Sequence, residues 1–374
     1  MNSPPKGNRL GPDAIVMSGW TWEAFNVPER IALALAHLGS TVLYCENPVS
    51  LFRHKSRPRQ EVESGVYRIG LEFLGHRLNR IPILMPRIQS KLLASQILRQ
   101  AADVGLENPI FVYPHGDFSA LCSEFKARGF SLVHVCMDYP ETSQERLIEL
   151  SDVTLVVPKS VYESMRQSYG DKIRVIPQVT RLFHSDDGHR ESSSGVGELA
   201  DVPHPRLGYV GPVNGRVDLP LLSKFLADHP QWQFLHFGAA KCFPFSNVHV
   251  LSWCAPGKLK AVVANLDVGF MPYARDDNKN LHCMPLKLFD YFSQGLPVVS
   301  TRIVNLLEFS DTIYFGDDPA ELSHAIQLAL DEPPDSPLKA KRMAIARKNS
   351  IEALASVLAE VLAPHGEAAY APAI

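Results

Sequence analysis

The sequence predicts an α/β protein in which strands and helices alternate through two successive units, each built on a mostly parallel sheet. Apolar runs of strand length alternate with segments of helical spacing from residue 14 to residue 362. The length of 374 residues exceeds the roughly 100–200 residues of one ordinary domain. A polar stretch rich in Ser, Gly and Asp, residues 184–205, interrupts the alternation and predicts a linker.

The first unit opens as strand, helix and strand: Ala14–Ser18 is apolar, Pro28 begins a helix that Gly39 ends, and Thr41–Cys45 follows. No G-x-G-x-x-G follows the first strand, which argues against a NAD or FAD enzyme and leaves an oxidoreductase as a remote alternative. The remaining strands of this unit are predicted at Pro109–Tyr113, Leu132–Met137, Val153–Val157 and Ile173–Ile176. Its remaining helices are predicted at Ile88–Asp103, Ser119–Arg128, Gln144–Leu150 and Ser160–Tyr169.

The alternation then restarts after residue 205. Strands are predicted at Arg206–Val210, Trp232–Phe237, Val248–Leu251, Leu266–Met271, Pro297–Thr301 and Thr312–Phe315. Helices are predicted at Leu219–Asp228, Lys258–Asn265, Pro285–Gln294, Pro319–Leu330 and Leu338–Leu362.

Composition excludes several classes of protein. Hydrophobic residues make up 45% and charged residues 21%, as in a soluble globular protein. The net charge of −3 gives no overall electrostatic case for nucleic-acid binding. The six cysteines include no CxxC pair, which argues against a zinc or disulfide framework and favours a reducing compartment. With no apolar run of about 18 residues and no apolar leader, we expect a cytoplasmic protein without a membrane span.

One segment departs from this balance, because residues 51–100 hold ten Lys or Arg against three Glu, a local net charge of +7. Apolar residues are interleaved with these bases, a pattern that suits peripheral contact with an anionic membrane surface at the cytoplasmic face. An ordinary solvated helix face over core residues has the same pattern, so both interpretations stay open.

The segment Cys283–Thr301, CMPLKLFDYFSQGLPVVST, carries the strongest chemical signal. Pro285 suits the first turn of a helix, and the amino end of a helix favours an anion. A buried face is predicted from the spacing of Pro285, Leu288, Phe289 and Phe292. A single polar stripe is predicted from Lys287, Asp290, Tyr291 and Gln294. Lys287 with Asp290 suits a ligand with a diphosphate and a ribose, although a surface Lys–Asp pair explains the same spacing.

This segment resembles the donor-binding signature of GT-B glycosyltransferases of the GT4-like superfamily, most closely the branch related to the xanthan-pathway glucuronosyltransferase. Looser resemblances to that family lie in Ser151–Tyr162, Val175–Phe183, Arg206–Asp218 and Leu266–Tyr273. The resemblance implies the GT-B fold, with two Rossmann-like α/β domains facing across a cleft. It implies an acceptor-binding domain over residues 1–185, a linker over 186–205 and a nucleotide-sugar domain over 206–335. The last segment, 336–374, is then expected to form a helix that packs back on the first domain.

The same resemblance implies that Lys287 contacts the donor phosphates and that Asp290 contacts the ribose. It also implies that the backbone of the Gly211–Gly215 turn approaches the diphosphate, with Arg216 as a second positive group. The full predicted donor set is Gly211, Asn214, Gly215, Arg216, His282, Pro285, Leu286, Lys287 and Asp290. Two departures stand out. His282 replaces the Glu that retaining members carry, so retention cannot be assumed, and the family's N-G-v-D turn is reduced to Gln178-Val179-Thr180.

An inverting transfer needs a general base at the carboxyl end of a strand in the first domain. Asp138 ends such a strand and is the candidate, with Glu141 and His115 as alternatives; Asp138 also suits a helix N-cap. Trp20, Trp22 and Glu23 follow the first strand as candidate acceptor contacts, although a loop Trp is more often a hydrophobic plug.

The function implied is metal-independent transfer of a sugar from a UDP- or GDP-sugar to a saccharide or lipid-linked acceptor in polysaccharide assembly. It requires no cofactor and no nucleic-acid partner. A nucleotide-sugar 2-epimerase of the same fold and a catalytically silent scaffold remain alternatives.

Overall fold

The computed structural model describes residues 10–22, 26–50, 56–73, 85–114, 118–138, 142–183, 197–211, 213, 215–237, 243–251, 256–275 and 278–363. The chain divides into two compact units, one of Met1–Pro177 with Ile351–Ile374 and the other of Gln178–Ser350. Among the described residues, no helix combines the length and apolar character needed to cross a bilayer.

The first unit is built on an eight-stranded sheet in the order β10-β9-β8-β7-β1-β2-β5-β4, parallel except for the β4–β5 hairpin. Its strands, with the short β3–β6 pair, are β1 Ala14–Met17, β2 Val42–Cys45, β3 Val49–Ser50, β4 Gln60–Glu63, β5 Val66–Ile69, β6 Glu72–Phe73, β7 Ile110–Tyr113, β8 Leu132–Cys136, β9 Val153–Val156 and β10 Ile173–Val175. Its helices are α1 Val27–His37, α2 Met85–Asp103, α3 Ser119–Ala127, α4 Thr142–Leu150, α5 Lys159–Tyr169 and α12 Ile351–Val361.

The second unit is built on a six-stranded parallel sheet in the order β13-β12-β11-β14-β15-β16. Its strands are β11 Arg206–Tyr209, β12 Gln233–Phe237, β13 Val248–Leu251, β14 Val268–Met271, β15 Val298–Ser300 and β16 Ile313–Phe315. Its helices are α6 Leu219–Asp228, α7 Pro256–Ala264, α8 Asn278–Leu281, α9 Leu286–Ser293, α10 Pro319–Leu330 and α11 Pro337–Lys348. The four central strands are buried along their whole length, as expected for a sheet covered on both faces.

Several helices begin with the same local device. A polar side chain at the N-cap accepts a backbone N–H from the first turn, and a proline occupies that turn. Asn26 caps α1, Asp218 caps α6, and Asp318 caps α10, each at about 3 Å. These pairs fix where each helix starts and therefore where the preceding loop ends.

The segment between β2 and α2 contains four strands that the sequence does not predict. The β4 strand is an edge strand with polar, largely exposed side chains, so it lacks the apolar run by which a strand is recognised. It turns back to β5 at Gly65, whose φ of +77° is in the left-handed region that favours glycine.

The long helix predicted over Leu338–Leu362 is two helices, α11 and α12. Asn349 ends α11, where its side-chain amide donates to the Ile345 carbonyl at 2.8 Å and competes with continuation of the helix. Helix α11 packs against α9 in the second unit, and α12 packs against α1 in the first. The units therefore change at residues 177/178 and 350/351, whereas the sequence-based boundaries lie near 185–206 and at 336.

Candidate functional site

The second unit has a topological switch point between β11 and β14. The chain leaves β11 towards β12 on one side and leaves β14 towards β15 on the other, which opens a crevice at the carboxyl ends of the strands. The loops after these two strands are joined: Asp218 N–H donates to the Pro272 carbonyl and Ala274 N–H donates to the Arg216 carbonyl, both at 2.9 Å. This crevice is where an α/β sheet of this order binds ligands.

A buried amide reinforces the junction of the two loops. Asn280 is fully buried, and its Nδ2 donates to the Arg216 carbonyl at 2.7 Å and the Ala274 carbonyl at 2.8 Å. The backbone around Arg216 is therefore held from two sides, which fixes the turn that follows β11.

Helix α9 is attached to the end of β11 through Tyr291. Its phenol donates to the Gly208 carbonyl and accepts the Val210 N–H, both at 2.8 Å. Tyr291 is fully buried, and burial raises the pKa of its phenol well above the usual value of 10, so the group stays protonated and can make both bonds. Periodicity predicts Tyr291 and Asp290 on a polar stripe, but both are buried. Helix α9 packs against α11, and its Tyr291 ring packs against Gly269 of the sheet.

Lys287 lies in the first turn of α9, at the switch point. Its ammonium is 3.1 Å from the Tyr273 hydroxyl and 3.8 Å from the centroid of the Tyr209 ring. Burial raises the pKa of Tyr273 well above 10, with nearby Arg216 acting in the opposite direction, so the phenol is neutral and its oxygen accepts from the ammonium. Lys287 is thus a half-buried cation at the amino end of a helix.

The glycine turn after β11 reaches this ammonium. Gly211 has φ of +138°, and a β-carbon there would lie 3.6 Å from Nζ of Lys287. An L side chain would be strained at that φ and would occupy the space beside the ammonium. Gly215 is exposed, with no heavy atom within 4 Å of a β-carbon built on it, and Arg216 is half-buried.

The amino end of α9 contributes backbone donors. Pro285 is the N-cap and makes no side-chain cap bond, so the first N–H groups of the helix have no capping side chain. Pro285 is buried and Leu286 half-buried at this end. His282, three residues earlier, is half-buried; burial lowers the pKa of its imidazole, and the Asn305 amide donates to its carbonyl at 2.9 Å.

Asp290 lies one turn beyond Lys287 and is 3% exposed. Its Oδ1 accepts the Thr180 hydroxyl at 2.7 Å. Gln178 donates to the Met284 carbonyl at 2.9 Å, just before α9 begins. The Gln178–Thr180 segment, which the sequence analysis treats as a reduced family motif, is therefore bonded to the helix that carries Lys287. The ribose contact of Asp290 stays a prediction.

The predicted residues of the first unit lie at the carboxyl edge of its sheet or outside the described residues. Asp138 is half-buried, two residues after β8 ends at Cys136, and it lies four positions before Thr142, where α4 begins. His115, Glu141, Glu23 and, in the second unit, Asn214 lie outside the described residues.

Trp22 is a buried plug in the first unit. It is 6% exposed, and its ring packs edge-on against Tyr44 at 4.9 Å between centroids. The backbone N–H of Trp22 donates to the Glu46 carboxylate at 2.9 Å. Trp20 is half-buried, and its backbone N–H donates to the Ser18 hydroxyl at 3.1 Å. Of the two interpretations that the sequence leaves open, an acceptor contact and a hydrophobic plug, the plug fits Trp22.

Sequence reasoning missed the aromatic residues that surround Lys287. Tyr209 lies in the predicted strand Arg206–Val210, and Tyr273 ends the segment Leu266–Tyr273 that resembles the family, but neither ring is given a role from the sequence. The signal lies in those two motifs, G-Y-V-G and F-M-P-Y, since parallel strands end at one edge of a sheet. Within the described residues, no group of three or more His, Cys, Asp or Glu is arranged to hold a metal ion.

Comparison with solved structures covers nearly the whole chain. Sucrose-phosphate synthase from Thermosynechococcus elongatus matches with a TM-score of 0.70 at 16% identity, over 94% of this chain and 98% of that chain. The trehalose-6-phosphate structure from E. coli bound with UDP-2-fluoro glucose matches with a TM-score of 0.67 at 11% identity, over 94% and 98%. The chain has the GT-B fold.

A third structure is α,α-trehalose-phosphate synthase (UDP-forming) from Burkholderia xenovorans, in complex with glucose-6-phosphate. It matches with a TM-score of 0.62 at 13% identity, over 94% of this chain and 100% of that chain.

No protein-family model matches the chain. The Bacillus subtilis (strain 168) protein TuaH, a proposed teichuronic acid biosynthesis glycosyltransferase, is 27% identical over 154 residues, 38% of this chain and 38% of TuaH. The predicted GT-B fold is confirmed, and the xanthan-pathway branch stays a prediction.

Proposed function

We propose that this GT-B chain is a glycosyltransferase that moves a sugar from a UDP- or GDP-sugar to a saccharide or lipid-linked acceptor. One observation carries the proposal: the Lys287 ammonium lies at the amino end of α9, beside the Gly211 turn, at the switch point of the second sheet. That combination of a cation, helix N–H groups and a close glycine backbone suits a diphosphate.

The chemistry of the leaving group follows from the same residues. Cleavage of the bond between sugar and nucleotide leaves negative charge on the diphosphate, and preorganised donors stabilise such charge. Lys287, the first turn of α9 and Arg216 supply that stabilisation without a bound metal or cofactor in this proposal. Asp290 is the candidate for the ribose hydroxyls.

UDP and GDP are the proposed donor nucleotides. UDP is supported by two structural neighbours, one described as UDP-forming and one bound with UDP-2-fluoro glucose. A role in polysaccharide assembly is supported by the similarity to TuaH, which is described as a proposed teichuronic acid biosynthesis glycosyltransferase.

Asp138 is the proposed general base in the first unit, with Glu141 and His115 as alternatives. Its half-buried place after β8 puts it at the edge of the sheet where strand ends carry functional groups in α/β folds. A carboxylate there can take the proton of an acceptor hydroxyl as the new glycosidic bond forms.

Contact with an anionic membrane is proposed through the exposed face of α2. Ile88 and Leu92 are 38% and 44% exposed and lie one turn apart on that face. Its exposed bases are Arg87, Lys91 and Arg99. Each base near an anionic leaflet adds about 1 kcal/mol of attraction, and the exposed apolar pair can enter the interface.

Three of the described bases in residues 51–100 form ion pairs with acidic side chains. Arg57 and Arg68 lie 3.4 and 3.7 Å from the Glu46 carboxylate, and Arg59 lies 3.0 Å from Asp103. These three bases have acidic partners, so among the described bases of residues 51–100 the proposed contact rests on those of α2.

The proposed reaction is tested by incubating the protein with UDP- and GDP-sugars, with and without short saccharide or lipid-linked acceptors. We expect acceptor-dependent release of nucleoside diphosphate, and a loss of about 10²-fold or more in Asp138→Asn with donor binding unchanged. Asp171→Asn, at an exposed position in the same unit, is the matched control. Conversion of the donor sugar without acceptor would instead favour the 2-epimerase, and binding without any turnover would favour the scaffold.

A further inference from the structure

Two tyrosines enclose the ammonium of Lys287. Its Nζ lies 3.8 Å from the centroid of the Tyr209 ring, 5.4 Å from that of the Tyr273 ring and 3.1 Å from the Tyr273 hydroxyl. The two rings meet edge to face, with centroids 6.3 Å apart and planes at 70°. Both residues are 2% exposed, so the core holds them in place while the lysine is half-buried.

We propose that Tyr209 and Tyr273 are positioning residues that hold the Lys287 ammonium ready for the phosphates of the donor. This inference rests on the proposed function, because it assigns a role to residues that touch the lysine and not the ligand. It adds a specific source of affinity: the orientation of the cation before the donor arrives.

A lysine side chain has considerable conformational freedom. A lysine on a surface has four rotatable bonds and loses that freedom when it binds a phosphate. A ring face attracts the ammonium electrostatically, and the attraction strengthens as water is excluded. The hydrogen bond from the Lys287 ammonium to the Tyr273 phenol oxygen fixes the orientation of the ammonium in a second direction. Much of the ordering cost is then met in the unbound protein, which is the usual route by which preorganisation raises affinity.

The hydroxyl of Tyr273 is the more specific of the two contacts. A phenylalanine would fill the same volume, but a buried phenol needs a hydrogen-bond partner, and the Lys287 ammonium is one. Because burial keeps the phenol protonated, its oxygen faces the cation as a neutral acceptor. The contact therefore adds no negative charge beside the ammonium, where an anion would bind.

Gly211 leaves room for that anion. A β-carbon there would stand 3.6 Å from Nζ and 3.8 Å from the Tyr209 ring. The backbone of the turn therefore lies beside the ammonium, where a phosphate would meet N–H groups and the cation together.

The test is a set of equilibrium titrations with four probes: UDP, GDP, uridine and guanosine. We expect Tyr209→Leu to weaken binding of the nucleoside diphosphate about tenfold and Tyr273→Phe about fivefold, with binding of the matching nucleoside unchanged. Tyr209→Phe keeps the ring and should rescue most of the loss. Tyr113→Phe, which removes a buried phenol bonded to the Leu147 carbonyl in the first unit, is the matched control.

A double-variant comparison separates positioning from packing. In a Lys287→Met background there is no ammonium to hold, so Tyr209→Leu should cause no further loss of diphosphate affinity. Equal losses for nucleoside and diphosphate, or additive losses in the double variant, would overturn the inference. If neither UDP nor GDP binds the wild type, or if Lys287→Met binds as well as the wild type, the proposed function itself fails. If Lys287→Met weakens binding and the tyrosine variants do not, only the inference fails.

Discussion

A β-carbon on Gly269 would lie 2.5 Å from Cδ2 of the Tyr291 ring, a separation that real side chains do not tolerate. The glycine in β14 therefore allows the Tyr291 ring of α9 to lie close against the strand. From that position the Tyr291 phenol reaches both backbone groups at the end of β11, Gly208 and Val210. One close approach in the core thus fixes the helix of Lys287 to the glycine turn.

Gly269→Ala tests this packing. The added methyl group must push the Tyr291 ring away, so we expect the free energy of unfolding to fall by about 1–3 kcal/mol. Gly197→Ala is the control, because a β-carbon at Gly197 has no heavy atom within 4 Å. Chemical denaturation of the two variants measures the difference, and equal midpoints would contradict the packing argument.

Thr180→Val tests the bond between the Gln178–Thr180 segment and α9. Valine has nearly the same shape but leaves the buried Asp290 carboxylate without the hydroxyl that it accepts at 2.7 Å. We expect a loss of about 1–3 kcal/mol in the free energy of unfolding. Thr41→Val provides the comparison, since the Thr41 hydroxyl makes no hydrogen bond to the described residues. A Thr180→Val variant as stable as Thr41→Val would sink the structural role of this bond.

The structure contains each of the twelve strands predicted from the sequence, because buried parallel strands are runs of apolar residues, as in β1 and β14. The sequence does not predict β4, where exposed polar residues follow one another. It does not separate α11 from α12 either, since Asn349 and Ser350 interrupt the helix with no glycine or proline to signal the break.

The sequence identifies residues of the candidate site, but it does not predict which groups they contact. Lys287 and Gly211 stand out by motif, yet the spacing of α9 also assigns Tyr291 and Asp290 to a polar face. Both are buried, and the groups to which they are hydrogen-bonded, on Gly208 and Thr180, lie 83 and 110 positions away along the chain. Periodicity within one helix contains no information about such distant partners, so only the packed structure shows them.

Arg342→Met tests a buried ion pair at the carboxyl end of the second unit. The fully buried Arg342 donates to both oxygens of Glu332, at 2.7 and 2.8 Å. Burial alone would raise the pKa of Glu332, but the bonds and charge of Arg342 outweigh it and hold the pKa below its ordinary value. We expect the variant to lose about 3–5 kcal/mol at pH 7, because the Glu332 carboxylate, whose side chain is 6% exposed, loses its positively charged partner.

The same pair predicts the pH dependence of stability. A carboxyl whose pKa is lowered by folding stabilises the protein above its unfolded pKa and loses that contribution as the pH falls through the folded value. The gap between wild type and Arg342→Met should therefore shrink below about pH 4. Lys341→Met, which breaks a neighbouring exposed ion pair with Asp311, should change stability little. A gap that stays constant from pH 7 to pH 3 would contradict the assignment.

Sedimentation with lipid vesicles tests the exposed face of α2. Vesicles containing phosphatidylglycerol should retain the protein, whereas phosphatidylcholine vesicles should not, because the exposed bases need an anionic surface. Ile88→Ser with Leu92→Ser should reduce the bound fraction severalfold. Leu328→Ser on α10 is the matched control, since Leu328 is as exposed as Leu92 at 44%. Equal retention of the α2 variant and this control would remove α2 from the membrane contact.

Calorimetric titration of the wild type and Lys287→Met with UDP and GDP tests the central claim most directly. Lys224→Met, at an exposed lysine of α6, loses the same charge on a helix that packs against α10, and controls for net charge. We predict that one nucleoside diphosphate binds the wild type and Lys224→Met alike, and that Lys287→Met weakens it at least about tenfold. Unchanged binding in Lys287→Met would show that the amino end of α9 is not the phosphate site.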